Sequence, residues 1–416
     1  MNTHKRRNGT RTRARLRVAV VGAGPAGLAV SRRLADDGHP HVVLERGQIG
    51  WSWRTQRWDS FRLNTPLWAN RVPGEHLPGP EGSFATAGSL VAGLERLADG
   101  LPVVEGVEVR RAERSGGLWQ LRTSRGPVLA DEVVVASGFQ NVPRRPAYAD
   151  LLPADIQQLH VADYRSPDEV RGAVLVVGGG QSGIQIAQDL VGAGHRVYLS
   201  TSRVARLPRR YRGRDAYEWL RDSGQLEIPS ENADPELKGS TPPQVSGATD
   251  GRTVSYQQLA ADGVTLLGRV VGCDGRLVRL APDLGANVRY ADEASIRFRA
   301  AWDRQAALNR RAIEPAAHDD PSDEPAENLY ESPGPRTLDV AAARISTVVW
   351  ATGFGASTGW LAAGALDDRA RPRMPGLHVM GAPWLTHRSS ANLYGMSADA
   401  ERLACAFSGT CARAAA

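Results

Sequence analysis

Residues 174–183 read VLVVGGGQSG, and residues 17–27 already read RVAVVGAGPAG. Each is an apolar, β-branched run that enters a glycine-rich turn, the pattern of a strand handing over to a helix through a tight loop. Around the first, RVAVV, GPAGLAVSRRLADDG and HVVLER alternate strand, helix and strand over residues 17–46. Around the second, AVLVV, QSGIQIAQDLVGAG and HRVYLSTSR repeat that plan over residues 173–203.

Two βαβ units so far apart predict an α/β protein with two Rossmann-like dinucleotide-binding domains. Their arrangement follows from a second repeat. The strand EVVVA (132–136) runs into ASGF (136–139), and STVVW (346–350) runs into ATGF (351–354). These mark where the chain leaves and re-enters the first domain, so the second is expected as an insertion. The expected limits are a basic disordered tail over 1–16, the first domain over 17–150, the inserted domain over 151–340 and the rest of the first over 341–416. Two stretches without periodicity, 229–251 and 315–336, are expected as surface loops.

At 416 residues, 42% hydrophobic and 23% charged, the chain has the composition of an ordinary globular protein of two or three domains. No apolar run reaches the ~18 residues that would cross a bilayer, and no signal-peptide core follows the N-terminus. A cytoplasmic protein without membrane contact is expected. The net charge of +6 comes from arginines scattered along the chain. Outside the tail HKRRNGTRTRAR no basic block occurs, and no nucleic-acid module is present. Cys273, Cys405 and Cys411 form neither CxxC nor a metal-ligand spacing, so no metal is expected.

The two glycine loops differ in the residues downstream of them. In the first, Gly22 allows the turn, Gly24 lets a pyrophosphate approach and Gly27 lets the helix pack on the strand, with Pro25 and Ala26 opening the helix. Glu45, beside Arg46, stands at the end of the second strand, where a carboxylate accepts from both ribose hydroxyls and repels a 2′-phosphate. That suits FAD or NAD and not NADP. In the second loop Gly178, Gly180 and Gly183 take the same places, with Gln181 and Ser182 opening the helix. Its strand ends in Ser202, Arg203 and Arg206, with no carboxylate. Hydroxyls and guanidinium groups suit a 2′-phosphate, so this loop is expected to hold NADPH. One loop for FAD and one for NADPH brings a hydride donor to a flavin.

The stretches GQIGWSWRTQRWDSFRLNTP (47–66), VASGFQNVPRRP (135–146), TVVWATGF (347–354) and PGLHVMGAPWLTHRSSANLYGMSADA (375–400) resemble the bacterial, CzcO-like flavin-containing monooxygenases. So does QLHVADYRSPDEVRGAVLVVGGGQSG (158–183), where His160 and Tyr164 take the places of the family's His and Tyr or Lys. Ala154 and Ile156 depart from that fingerprint, where Phe and Gly are usual.

The resemblance implies an FAD- and NADPH-dependent monooxygenase that uses a flavin C4a-hydroperoxide to oxygenate a nitrogen or sulfur atom of a small metabolite. Its partners would be that metabolite and O2, and a homodimer is an assembly open to it. It implies that Trp53 and Arg54 lie along the flavin, and that Asn64 sits near it to protect the hydroperoxide. Turn capping before Thr65-Pro66 is the alternative for Asn64. His160 is expected to position NADPH or a protein loop, or to be structural. Ala351, Thr352 and Gly353 are expected where the inserted domain rejoins the flavin domain, with Gly381 and Asn392 in the last flavin-binding stretch. The alternatives left open are Baeyer–Villiger oxidation of a ketone, and an NADPH oxidase or redox flavoprotein without an oxygenated product.

Overall fold

The computed structural model describes residues 15–71, 76–248, 251–309 and 320–408. Residues 1–14 of the basic tail, residues 315–319 of the acidic stretch and Cys411 lie outside them.

The chain opens with β1 (Arg15–Val21), α1 (Pro25–Asp36) and β2 (His41–Leu44). The short α2 (Trp51–Thr55) and α3 (Ala87–Ala98) come next, then β3 (Val103–Val104), β4 (Val109–Ser115), β5 (Leu118–Thr123) and β6 (Gly126–Val135). These strands assemble in the order β3-β2-β1-β6-β5-β4. The central strands are parallel, and β5 and β4 extend the sheet as an antiparallel hairpin. The last four residues of β1 are all buried, because helices cover one face and the C-terminal half of the chain the other.

After β7 (Val142–Pro143) come β8 (Gln157–His160), β9 (Ala173–Val177), α4 (Gln181–Gly192) and β10 (Val197–Ser200). A small hairpin, β11 (Arg210–Tyr211) and β12 (Arg214–Asp215), precedes α5 (Ala216–Asp222), α6 (Pro235–Gly239) and α7 (Tyr256–Ala261). The chain continues through β13 (Thr265–Leu267), β14 (Val270–Asp274), β15 (Leu277–Leu280), the long α8 (Leu284–Leu308), β16 (Thr337–Asp339) and β17 (Ile345–Trp350). The second sheet, β13-β10-β9-β17-β8, is parallel throughout. Its five β9 residues are all buried, as a strand sandwiched on both faces requires. The chain closes with β18 (Phe354–Gly355), β19 (Leu377–Val379), which adds to the first sheet beside β6, and α9 (Leu393–Ser408), which packs on α1.

The two glycine loops are built alike. Gly22 has φ +108° and Gly178 φ +117°. A Cβ on Gly22 would lie 2.5 Å from the Ala136 carbonyl oxygen, and one on Gly178 would lie 2.5 Å from that of Ala351. Thus ASGF and ATGF are the floors beneath the two loops. Each floor must belong to the same sheet as its loop, which corrects the expected limit at 340/341. β17 is hydrogen-bonded between β9 and β8 in the second sheet, and the return to the first begins only at Ala351. The outgoing and returning crossings run side by side as the β7–β18 ribbon.

Neither aperiodic stretch is simply a surface loop. Gln244, Val245 and Ser246 are buried, with Gln244 N–H on the Ala205 carbonyl at 2.7 Å and its side-chain amide on the Gly179 carbonyl at 2.7 Å. In the other, Asp323 is buried and takes up a guanidinium from the strand-end segment. Short polar segments without periodicity can be interior when every polar atom finds a partner. Among the described residues no helix is long and apolar enough to cross a membrane.

Gly178→Ala is expected to lower the unfolding free energy in urea by about 1–3 kcal/mol, through backbone strain and overlap with Ala351. Gly180→Ala, where a Cβ would meet nothing within 4 Å, is expected to change it by less than about 0.5 kcal/mol.

Candidate active site

Four of the helices α1 to α8 are capped by side chains. Thr86 accepts from the Ser89 amide at the start of α3, Asp215 forms a capping box on α5, and Ser255 caps α7. The two twelve-residue helices that follow the glycine loops are not. α1 and α4 start at Gly24 and Gly180 with no side-chain cap, so their first-turn amides face outward unsatisfied. Neither Gly24 nor Gly180 would have its Cβ within 4 Å of another atom, so both loops are open to close approach. Two uncapped N-termini with exposed glycine backbone are the physical requirement of two phosphate sites.

Both helix starts face one cavity of about 850 Å³. Gly22, Gly24, Pro25 and Ala26 line it from the first loop, and Gln181 and Ser182 from the second. The volume is near the upper end for a single small-ligand pocket, ~1,000 Å³. Gly27 and Gly183 stand behind their loops, each placing its Cα against a backbone carbonyl, of Gly22 and Gly178 respectively.

Glu45 is buried at the cavity edge beside exposed Arg46. Its carboxylate accepts from Ala23 N at 2.7 Å and Gly47 N at 2.9 Å, which fixes its orientation and leaves a lone pair on each oxygen for a ligand hydroxyl. Trp53, Gly381 and Asn392 also line the cavity. Asn64 lies where the two sites meet. Its Nδ2 donates to Gln181 Oε1 at 3.0 Å, and its Oδ1 accepts from Gln185 Nε2 at 2.9 Å. A side chain of the first domain thereby holds the first turns of α4.

At the second strand end the expected pair of arginines separates. Arg203 is exposed, stacks over Tyr290 at 4.3 Å and has no carboxylate partner among the described residues. Ser202 Oγ accepts from Gly179 N at 3.1 Å, and Ser202 is clasped by the Tyr256 hydroxyl through its own N–H and C=O. Arg206, expected to bind cofactor, is instead fully buried. It pairs with Asp292 and, at 2.8 Å, with Asp323, and donates to the Asp323 carbonyl at 2.9 Å. Its guanidinium ties α8 and the segment after it to the strand end and, fully buried and off the cavity, is out of a nucleotide's reach.

Three further expectations change. Arg54 turns away from the cavity to pair with Glu95 and to donate to the Ile49 carbonyl at 2.8 Å. Ala351, Thr352 and Gly353 form the floor of the second loop rather than a cavity wall: Thr352 Oγ1 donates to the Arg144 carbonyl, and the Gly353 carbonyl accepts from Arg144 N. His160, expected among the catalytic residues, is buried away from the cavity. Its Nδ1 accepts from Ala162 N at 3.1 Å, which makes Nε2 the protonated nitrogen, donating to the Gly353 carbonyl at 3.1 Å. It also meets Phe354 edge-on at 4.9 Å. His160 is therefore a neutral strut between β8 and the ATGF floor, and burial holds its pKa below the ordinary value.

Tyr164, the other fingerprint residue, donates to Asp189 at 2.6 Å, and Ser60 donates to the second oxygen of Asp189 at 2.7 Å. The fingerprint thus knots the linker to α4 and to the tryptophan-rich stretch. Burial and the Asp189 charge push the Tyr164 phenol up.

Sequence reading missed Arg57, Tyr217 and Arg388, all of which line the cavity. Arg57 stacks over Trp53 at 4.5 Å and Phe61 at 5.4 Å, and burial pulls its pKa down to about 10. Among the described residues the lining carries only two carboxylates, Glu45 and Glu108, and no histidine or cysteine; Cys273 and Cys405 are free and lie elsewhere.

A family model described as pyridine nucleotide-disulphide oxidoreductase matches residues 16–223. An uncharacterized oxidoreductase, CzcO-like, of Geobacillus kaustophilus is 27% identical over 402 residues, 93% of this chain and 96% of that protein. An indole-3-pyruvate monooxygenase of Oryza sativa subsp. japonica is 33% identical over 178 residues, 41% of this chain and 44% of that protein. Among solved structures, a flavin-containing monooxygenase from Stenotrophomonas maltophilia has a TM-score of 0.62 at 17% identity, covering 95% of this chain and 99% of that one, a likeness of fold.

Arg206→Ala is expected to cost about 3–5 kcal/mol in urea unfolding, since it leaves buried Asp292 without its cation and Asp323 with only Arg299 at 3.5 Å. His160 makes stability depend on pH. Its folded pKa lies below the unfolded one, so the stability it contributes is full above the unfolded value, about 6.5, and is lost as pH falls toward the folded value. Between pH 7 and pH 5 the native protein is expected to lose more stability than His160→Gln, measured as the difference in urea midpoints.

Proposed function

The chain belongs to the pyridine nucleotide-disulphide oxidoreductase family, and from that premise we propose that it is an FAD- and NADPH-dependent monooxygenase acting on a nitrogen or sulfur atom of a small metabolite. The observation that carries this reading is the single cavity faced by both uncapped helix starts and lined, among the described residues, by no thiol. A disulfide reductase needs a reactive cysteine pair at that place. O2 as the acceptor is supported by the monooxygenase names that a partial relative and a structural likeness carry.

The residues fit the two cofactors. The α1 start and Glu45 would hold the pyrophosphate and ribose of FAD, and Trp53, Gly381 and Asn392 would stand along it. The α4 start would hold the pyrophosphate of NADPH, and Arg203, exposed and without a carboxylate partner, would take its 2′-phosphate. When bound, the flavin supplies two-electron transfer and oxygen activation. The chain supplies placement: Asn64, bonded to Gln181 and Gln185, sets the approach of the two sites, and Arg57 on its aromatic bed adds positive charge to the wall. The buried segment 244–247 and the C-terminal segment wall the cavity on two sides.

The choice of nitrogen or sulfur is supported by what the wall does not offer. Both oxygens of Glu45 already accept from backbone amides, and Glu108 pairs with Arg110 at 2.9 Å. With no general base among the described residues of the cavity beyond these two carboxylates, a substrate atom that is nucleophilic without first losing a proton fits the site. The relatives carry the monooxygenase name for one partial match and the fold likeness for another.

The test is to reduce the FAD-loaded protein with NADPH and with NADH, then admit O2 beside thioethers, amines and ketones, measuring products by mass and peroxide released. NADPH is expected to reduce the flavin faster. Thioethers or amines are expected to gain one oxygen atom per NADPH. Arg203→Ala is expected to raise KM for NADPH roughly ten-fold, the worth of a charge-assisted bond, with KM for NADH unchanged. Ester formation from a ketone, or peroxide as the only product, would replace the proposed reaction.

A further inference from the structure

We propose that the substrate is an apolar molecule bearing one carboxylate, and that Arg388, with Tyr217 beside it, is the carboxylate site. Calling the ligand a substrate rests on the monooxygenase reading above; the binding site itself does not.

One part of the cavity wall is an apolar cluster in which Leu207, Leu220, Leu226 and Val245 pack together with Tyr217 against them. Three polar groups line the same cavity. Arg388 lines it and makes one side-chain bond, Nη1 to the neutral Gln225 Oε1 at 3.1 Å. Tyr217 lines it too, and its hydroxyl has no hydrogen-bond partner among the described residues; Arg209 lies over its ring at 5.7 Å, and Arg209 and, more weakly, Arg388 act on its phenol. Ser389 Oγ is buried and likewise without a partner among the described residues.

The neighbouring arginines show how this chain treats a guanidinium it buries or half-buries in this region. Arg206 has Asp292 and Asp323, Arg209 has Asp215, Arg212 has Asp303 and Arg214 has Asp222. Arg388 has no carboxylate within ion-pair distance among the described residues. A half-buried cation without a counterion is costly unless something supplies the charge. Burial indeed pushes the Arg388 pKa down.

The position is also held rigidly. Arg388 N donates to the Ile228 carbonyl at 3.0 Å and Ser230 N donates to the Thr386 carbonyl at 2.8 Å, which clamps the C-terminal segment onto the inserted domain. Ser390 Oγ accepts from Thr386 N and His387 N, both at 3.1 Å. A cation fixed on two domains at once, on a cavity with an apolar wall, beside a free phenol, is built to receive a planar anion through its fork of donors. The leucines select the apolar body; the phosphates of the nucleotides have their own places at the two helix starts.

The experiment uses the full-length FAD-loaded protein and three acid and amide pairs: phenylacetate, 3-phenylpropanoate and 4-methylpentanoate, each beside its own amide. Binding is measured by equilibrium dialysis. At least one acid is expected to bind roughly ten-fold or more tightly than its amide. Arg388→Met is expected to abolish that preference with the FAD-to-protein ratio unchanged. Arg388→Lys should restore part of it, and Tyr217→Phe should weaken it several-fold. If Arg388→Met does not fold, the native protein and Tyr217→Phe decide the matter alone.

The proposal is overturned if no acid outbinds its amide, if the preference persists in Arg388→Met, or if that variant sheds FAD, which would assign Arg388 to the flavin. The reading of the reaction fails separately: a preferred acid with no oxygenated product from any thioether or amine would sink the monooxygenase and leave the site standing.

Discussion

A carbonyl oxygen under a glycine, made twice, governs this molecule. Ala136 O beneath Gly22 and Ala351 O beneath Gly178 leave no room for a Cβ, and both glycines sit at positive φ. That contact lets each strand turn at once into a helix whose first amides stay unpaired. Anion binding at these helix starts is the use for which an uncapped terminus is worth keeping. The contact also dictates connectivity, since a floor strand must lie next to the loop strand. The chain therefore crosses between domains directly after each floor, and the crossings pair as a ribbon.

With the crossings adjacent, both helix starts face one space. The residues between them act less as chemistry than as rigging. Asn64 grips the first turns of α4, Tyr164 and Ser60 share Asp189, and His160 props the second floor as a neutral ring. These bonds hold two separately built sites at a fixed approach, which hydride transfer between two bound nucleotides requires. The arginine-rich wall then divides by partner. Guanidinium groups with carboxylates bind the inserted domain together, while Arg57, Arg203 and Arg388 have no carboxylate partner among the described residues.

The tryptophan-rich stretch shows a similar division. Trp58 is buried, packed edge-on to Phe61 at 5.0 Å with one side on the cavity, and Trp53 lines the same cavity under Arg57. Arg54, next in sequence, points elsewhere to Glu95. Neighbours on a short helix diverge by about 100°, so one motif carries a wall residue and a surface ion pair side by side.

What the sequence by itself determined is local. The strand, glycine turn and helix of each unit, the carboxylate at the end of β2 and its absence at the end of β10, and the lack of a cysteine pair are all set within short windows by steric demands and charge. Partner choice was decided only by the tertiary structure. Arg203 and Arg206 are the same residue type three positions apart, yet one is exposed and the other lies between carboxylates contributed from residues 292 and 323. The strand at 345–350 joins the second sheet because it must floor the second loop, a condition visible only once both strands are side by side. Arg388 carries no local signal at all; its meaning comes from leucines and a tyrosine over a hundred and fifty residues earlier in the chain. Contacts between distant segments follow from burial and hydrogen-bond satisfaction across the whole fold, and no short window encodes them.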